Sequence, residues 1–127
     1  LAYLGEQGIP AAVASSSPFE QIKRNLSNAG VADAFSVVVS SHEVAHAKPH
    51  PDVFLRAAEL LGCEPGHAIV LEDSFNGVRA GAAGGFYTIM VPDLSAPDDE
   101  MRRLASKICS SLLEVRDLLQ ARAITLP

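Results

Sequence analysis

Four short apolar runs alternate with helical segments along this 127-residue chain, and that alternation limits the folds open to it. In these runs β-branched and aliphatic residues follow one another without polar alternation, over residues 11–14, 37–39, 68–71 and 86–91. Continuous runs of this kind are typical of strands buried on both faces of a parallel sheet. The order strand, helix, strand, helix predicts a three-layer α/β fold with right-handed crossovers and helices on both faces.

Capping residues and glycines mark where the helices between these runs begin and end. Ser17 stands three residues before Glu20, which predicts a capping box at the start of the first main helix, and Gly30 predicts its end. Ser111 and Glu114 repeat the capping box before the last helix. The other helices are predicted near residues 51–61, 74–83 and 95–103.

Composition narrows the class of protein. Hydrophobic residues make up 48% and charged residues 20%, which favours a packed core over disorder. The net charge of −5 argues against nucleic-acid binding, which uses a clustered basic face. No apolar run is long enough to span a bilayer, and no signal segment opens the chain. Cys63 and Cys109 lie far apart without a CxxC pattern, so we expect a cytoplasmic protein without disulfides or zinc and with no nucleic-acid or membrane partner.

Polar side chains follow three of the predicted strands. Ser15 and Ser16 come after the first strand, Lys48 lies in the loop after the second, and Glu72 and Asp73 end the third. The carboxyl ends of parallel strands meet at one edge of the sheet, which is where α/β proteins bind ligands. Taken singly, each group has an ordinary structural explanation as a helix cap, a solvated loop residue or an ion pair.

Taken together, these groups have the chemistry of phosphoryl transfer. Two adjacent carboxylates repel each other unless a cation lies near them, and Mg²⁺ accepts one or two carboxylates beside water and phosphate oxygens. Small hydroxyls and backbone N–H groups at the start of a helix bind phosphate. A lysine ammonium from a neighbouring strand end neutralises the same phosphate. The combination predicts a Mg²⁺-dependent phosphoryl-transfer site.

Three segments resemble the haloacid dehalogenase-like superfamily: the serine segment 13–18, the sequence AKPHPDVF over 47–54, and VLEDSFNGV over 70–78. They are similar in particular to its β-phosphoglucomutase-like and phosphoglycolate-phosphatase-like branch. The KPxPxxF and EDSxxG patterns at this separation carry most of the specificity, and the resemblance covers nearly the whole chain. It implies a Rossmann-like core and a Mg²⁺-dependent phosphatase or phosphomutase that acts on a small phosphorylated metabolite.

The resemblance also implies roles for individual residues. Ser15 is the phosphate-binding hydroxyl, with the Ser16 backbone beside it, and Lys48 is the lysine that holds both phosphate and nucleophile. Glu72 and Asp73 are the acid pair at Mg²⁺, with Asp73 the surer ligand. Further residues would support the acid pair, cap the next helix or let it pack closely, namely Ser74, Asn76 and Gly77.

The catalytic aspartates of the family are missing from this sequence. In the family a DxD motif ends an earlier strand, where its first Asp forms an aspartyl phosphate and its second acts as general acid and base. The sequence contains no DxD motif, and the helical cap that would choose the substrate is absent too. We therefore expect residues 1–127 to be the C-terminal part of a single core domain, inactive alone and completed by a missing N-terminal segment of the same protein.

The family sheet gives that expectation a structural form. The nucleophile strand lies between the strands that end at Ser15 and Leu71, so without it two buried strands lose their shared neighbour and its hydrogen bonds. Val13 and Ile69 should then not lie in directly paired strands.

Two alternative functions stay open beside the enzyme. One is a degenerate relative that binds phosphate or a partner without turnover. The other is a receiver domain phosphorylated at Asp73, which would need its lysine later in the sequence, whereas Lys48 precedes Asp73 and Lys107 is less well placed. Loop exposure, rather than a metal site, accounts for the four histidines, His42, His46, His50 and His67.

Overall fold

The computed structural model describes residues 1–93 and 95–121. In this part of the chain five strands alternate with helices: β1 (Ala12–Ser15), β2 (Val37–Ser40), β3 (Ile69–Glu72), β4 (Tyr87–Met90) and β5 (Lys107–Ile108). The α-helices are α1 (Ala2–Glu6), α2 (Phe19–Asn28), α3 (Asp52–Leu61), α4 (Phe75–Ala83), α5 (Asp99–Leu104) and α6 (Leu112–Gln120). Short 3₁₀ turns cover Ala32–Ala34, Ser41–Glu43 and Pro65–His67.

All strand pairs in the described residues are parallel, and they form two separate sheets. β1 pairs with β2 in a register that places Ala12 opposite Val37. β3, β4 and β5 form the second sheet in that order. Val13 and Ile69 therefore lie in different sheets, as expected. Within the described chain, β1 and β3 each pair along one edge only.

Helices cover both faces of the larger sheet, which confirms the predicted fold class. Adjacent residues of β4 are fully buried on opposite sides: Ile89 clusters with Val115 of α6, whereas Met90 clusters with Val78 of α4 and Met101 of α5. A further core joins the two sheets, because α3 packs on β1 and β2 and its buried apolar side chains share one cluster with Val70 of β3.

The expectation of burial on both faces does not hold for every strand. Leu71 of β3 is 42% exposed and all four residues of β1 are only partly buried. Both strands lack a neighbour on one side among the described residues, so their side chains receive packing from fewer directions.

The helix starts agree with the sequence in part. The capping box predicted at Ser17 is wrong, because α2 begins at Phe19 with Pro18 as its N-cap and no side-chain cap. The backbone of Ser17 is used elsewhere: its N–H donates to Ser15 and its carbonyl accepts from Ser40. At α6 the Ser111 hydroxyl caps as predicted, but the Glu114 carboxylate accepts from Ser110 and not from the Ser111 backbone, so the predicted capping box is only half formed.

The two-residue strand β5 was not predicted from the apolar runs of the sequence. Within the described ranges, none of the helices has the length and apolar character needed to cross a bilayer.

Candidate active site

The Lys48 ammonium lies where the carboxyl ends of β1 and β3 come together. Its Nζ donates to Glu72 Oε2 at 2.8 Å and to the Ala14 carbonyl at 3.2 Å. Ala14 belongs to β1, Glu72 ends β3, and Lys48 comes from the loop that follows β2. The side chains of Lys48 and Glu72 are each only 11% exposed. The structure therefore brings together groups from three predicted strand ends.

The ammonium keeps hydrogen-bonding capacity at this position. A lysine ammonium has three N–H donors. Within the described residues Lys48 directs two of them to oxygen acceptors, and the ring of Phe54 lies beside the charge, with its centroid 4.8 Å from Nζ. One N–H can therefore bind a further acceptor.

Glu72 anchors both Lys48 and the start of α4. Its Oε1 accepts from the backbone N–H of Asp73 at 3.1 Å, and from the backbone and hydroxyl of Ser74 at 3.4 and 3.2 Å. Burial alone raises the pKa of Glu72, but the hydrogen bond and charge of Lys48 outweigh it and hold the pKa below its ordinary value. Gly77 leaves room for this carboxylate, because a Cβ there would overlap the Glu72 side chain.

Asp73 is exposed beside this anchored carboxylate. Desolvation first, and then the hydrogen bond and negative charge of Glu72, raise the pKa of Asp73 above its ordinary value. The charge of Asp93, which follows β4, adds to the shift. Because Asp93 follows β4 of the parallel sheet, it lies at the same edge as Asp73. The concentration of negative charge around Asp73 favours a bound cation.

The residues at this edge of the sheet fit a Mg²⁺ ion that takes only one or two of its ligands from the protein. Mg²⁺ is held by one or two carboxylates and fills its other positions with water and phosphate oxygens. Residues 1–93 and 95–121 contain no group of three or more His, Cys, Asp or Glu side chains placed to hold a metal. Asp73 offers an exposed carboxylate, whereas both oxygens of Glu72 already accept hydrogen bonds. Asp73 is therefore the better candidate ligand of the pair.

The serine loop after β1 is held by residues from β2. Ser15 Oγ accepts from Ser17 N–H at 3.1 Å, and Ser16 is exposed. Ser40, fully buried at the end of β2, donates its hydroxyl to the Ser17 carbonyl at 2.6 Å. Glu43 completes a capping box by accepting from Ser40 N–H at 3.0 Å. Sequence analysis missed this support, for which the signal is a serine directly after an apolar strand.

Ser74 and Asn76, both predicted to support the acid pair or to cap the next helix, have different roles in the structure. Ser74 caps α4, since its Oγ accepts from Gly77 N–H at 3.0 Å. The amide oxygen of Asn76 instead accepts from Arg79 at 2.8 Å, and Arg79 also binds Glu100 of α5. Asn76 thus belongs to the contact between α4 and α5.

Curated relatives are similar in sequence to most of this chain. It is 41% identical over 110 residues to a bifunctional riboflavin kinase/FMN phosphatase of Arabidopsis thaliana, covering 86% of this chain and 29% of that protein. It is 37% identical over 116 residues to hexitol phosphatase B of Escherichia coli (strain K12), covering 90% of this chain and 52% of that protein. The chain thus spans about half, or less, of these relatives.

Solved structures agree with the fold. A HAD family hydrolase from Deinococcus radiodurans R1, with bound phosphate and sodium, matches at a TM-score of 0.81 and 32% identity, covering 99% of this chain and 58% of that one. CbbY from Rhodobacter sphaeroides in complex with phosphate also matches at 0.81, with 29% identity and coverages of 90% and 52%. A putative β-phosphoglucomutase from Thermotoga maritima shares the fold at a TM-score of 0.85, 24% identity and coverages of 95% and 56%.

The family assignment rests on more than half of the chain. Residues 1–85 match the family of haloacid dehalogenase-like hydrolases, and this range includes the serine loop, Lys48 and the acid pair. Together with the identities above, this confirms the predicted resemblance: the chain belongs to the haloacid dehalogenase-like hydrolase family.

Proposed function

We propose that this chain forms part of the core of a Mg²⁺-dependent phosphatase acting on a small phosphorylated metabolite. The observation that carries the proposal is the nearly buried Lys48 ammonium at the meeting point of three strand ends, with an N–H left for a substrate oxygen. The names of the relatives support the reaction class: two are phosphatases, and two of the similar structures hold phosphate. The same residues would also serve a phosphomutase, which is the other form of this reaction that we consider.

Each predicted residue has a task in this proposal. Lys48 and the Ser15 hydroxyl bind the phosphate, and the backbone N–H of Ser16 adds a donor beside them. Asp73 holds Mg²⁺, which when bound offsets the negative charge of the phosphate. Glu72 fixes the position of Lys48 from behind. Because phosphoryl transfer depends mainly on positioning and charge stabilisation, these residues would supply the binding and charge stabilisation of the phosphate, whereas the nucleophile would come from another strand.

We also propose that a further parallel strand lies between β1 and β3 and carries the aspartate that forms the aspartyl phosphate. Two observations support it: β1 and β3 each pair on one edge only in the described chain, and Lys48 bonds to both strands at their carboxyl ends. The strand and the cap would come from residues outside 1–127, so this chain would be the C-terminal part of one core domain. The cytoplasmic location stays a prediction.

The missing DxD motif favours a second candidate, a relative that binds phosphate or a partner without turnover. The mass of the intact purified protein separates the two candidates. A heavier chain with a DxD motif supports the enzyme, whereas a mass equal to 127 residues supports the binding protein.

Replacement of Asp73 tests the proposed enzyme directly. In the full-length protein, Asp73→Asn should lower kcat at least about a hundredfold and raise the Mg²⁺ concentration needed for activity, because a charged ligand is lost. Asp33→Asn is the matched control, since Asp33 is exposed in the 3₁₀ turn before β2, at the opposite edge of the sheet. Near-normal turnover and Mg²⁺ dependence in Asp73→Asn would remove this residue from the metal site.

A further inference from the structure

We propose that Phe54 is a positioning residue for Lys48, holding its ammonium against the ring face while the phosphate is bound. The inference rests on the proposed role of Lys48 as the phosphate lysine. Phe54 lies in the first turn of α3, and its ring centroid is 4.8 Å from Lys48 Nζ. A cation at this distance from an aromatic face is attracted by the ring quadrupole, and more strongly where water is excluded. Lys48 is only 11% exposed.

The ring itself is fixed by packing. Phe54 is 7% exposed and meets Phe86 edge to face, with the ring centroids 6.0 Å apart and the planes at 69°. The Phe86 ring packs close to Gly84, because a Cβ on Gly84 would lie 2.8 Å from the ring and 3.1 Å from Pro51. Both rings thus belong to one packed core cluster, and of the two only Phe54 contacts the ammonium.

The Phe54 ring restricts the Lys48 ammonium in a different way from its two oxygen partners. The Ala14 carbonyl and the Glu72 carboxylate each take one N–H and fix the ammonium toward β1 and β3. The ring attracts the positive charge as a whole and accepts no conventional hydrogen bond from it. The ring therefore restricts the position of the Lys48 ammonium and leaves one N–H free to donate to the substrate. Loss of the ring should therefore weaken stabilisation of charge in the reaction more than binding of the substrate.

The test compares two phenylalanines of one core cluster in the full-length protein. Phe54→Leu and Phe86→Leu remove rings of equal burial, but only Phe54 contacts the ammonium. Phe54→Leu should lower kcat about tenfold with little change in KM, and Phe86→Leu should change kcat less than about twofold. In case Phe54→Leu does not fold, 3,4,5-trifluorophenylalanine at position 54 keeps the shape of the ring and weakens its quadrupole, and it should lower kcat in the same direction.

A spectroscopic readout makes the test independent of catalysis. Protons above a ring face are shielded, so the ε-CH₂ signals of Lys48 should lie upfield of those of Lys107 and move downfield in Phe54→Leu but not in Phe86→Leu. Equal losses of kcat in both leucine variants, or an unchanged kcat in the fluorinated protein, would overturn the proposal. If Lys48→Met retained turnover while the unsubstituted protein showed the upfield Lys48 signals, the proposed function would fail and the placement of the ring would stand.

Discussion

At the scale of single residues, Lys48 and Glu72 link the stability of the chain to its chemistry. Both side chains are almost excluded from solvent and lie 2.8 Å apart. Each also binds neighbouring groups, Lys48 the Ala14 carbonyl and Glu72 the start of α4. Removing one partner of such a pair leaves an uncompensated buried charge, whereas exposed ion pairs contribute little.

Lys48→Met should therefore lower the free energy of unfolding by about 3 kcal/mol. The double variant with Glu72→Gln should regain part of this loss, because no buried charge is left. Arg56→Met is the control, since Arg56 and Glu59 form a pair that is 43% and 72% exposed, and its loss should cost less than about 1 kcal/mol. Urea denaturation measures the free energy of unfolding of all three variants. Equal losses in Lys48→Met and Arg56→Met would show that the buried ion pair contributes no more to stability than the exposed one.

Gly77 is a second residue on which the site depends. Gly77→Ala places a methyl group in the space of the Glu72 side chain, so it should destabilise the protein by about 1–3 kcal/mol and displace Glu72 from Lys48. Gly66→Ala is the matched control, because a Cβ there meets nothing within 4 Å. Thermal unfolding and phosphatase assays should separate the two variants, and similar behaviour would argue against close packing at Gly77.

At the scale of elements, the start of α4 joins helix formation to the acid pair. Ser74 Oγ accepts from Gly77 N–H and donates to Glu72 Oε1, so one hydroxyl serves both the helix cap and the carboxylate. Ser111 caps α6 with an equivalent bond to the N–H of Glu114 at 3.2 Å, on a helix that belongs to a different cluster.

Ser74→Ala and Ser111→Ala should each lower the free energy of unfolding by about 1 kcal/mol through loss of an N-cap. Only Ser74→Ala should also lower kcat in the full-length protein, because it frees Glu72. Chemical denaturation gives the first quantity and steady-state kinetics the second. A loss of kcat in both variants would trace the effect to general stability.

Elements were predictable where local sequence determines them, and less so where contacts between strands do. The apolar runs located β1, β2, β3 and β4 within one residue at each end. The start of α2 was wrong because Ser40, on another strand, binds the Ser17 carbonyl. The meeting of Lys48 and the acid pair at one edge of the sheet followed from strand order. The ion pair of Lys48 with Glu72 and the ring of Phe54 beside the ammonium were not predicted, because they depend on how the strands and α3 pack together.

At the scale of the whole molecule, the separation of β1 from β3 predicts how the chain behaves alone. The 127-residue chain with Mg²⁺ should hydrolyse a generic aryl phosphate no faster than its Lys48→Met variant, because it contains no DxD nucleophile. A longer polypeptide that supplies a DxD strand should be active under the same conditions. Hydrolysis by the short chain that persists through purification and is lost in Lys48→Met would contradict this.

The parallel pairing of β1 with β2 and of β3 with β4 also bears on the order in which the chain folds. In each pair one α-helix lies between the two strands, so the paired residues are closer in sequence than those that meet between the two sheets, and we expect the pairs to form first. The core around α3 is where side chains from the two sheets meet. We therefore expect the two sheets to assemble on α3 during synthesis. The sheet of β1 and β2 is made first and is followed by α3, and the sheet of β3, β4 and β5 then packs against this helix.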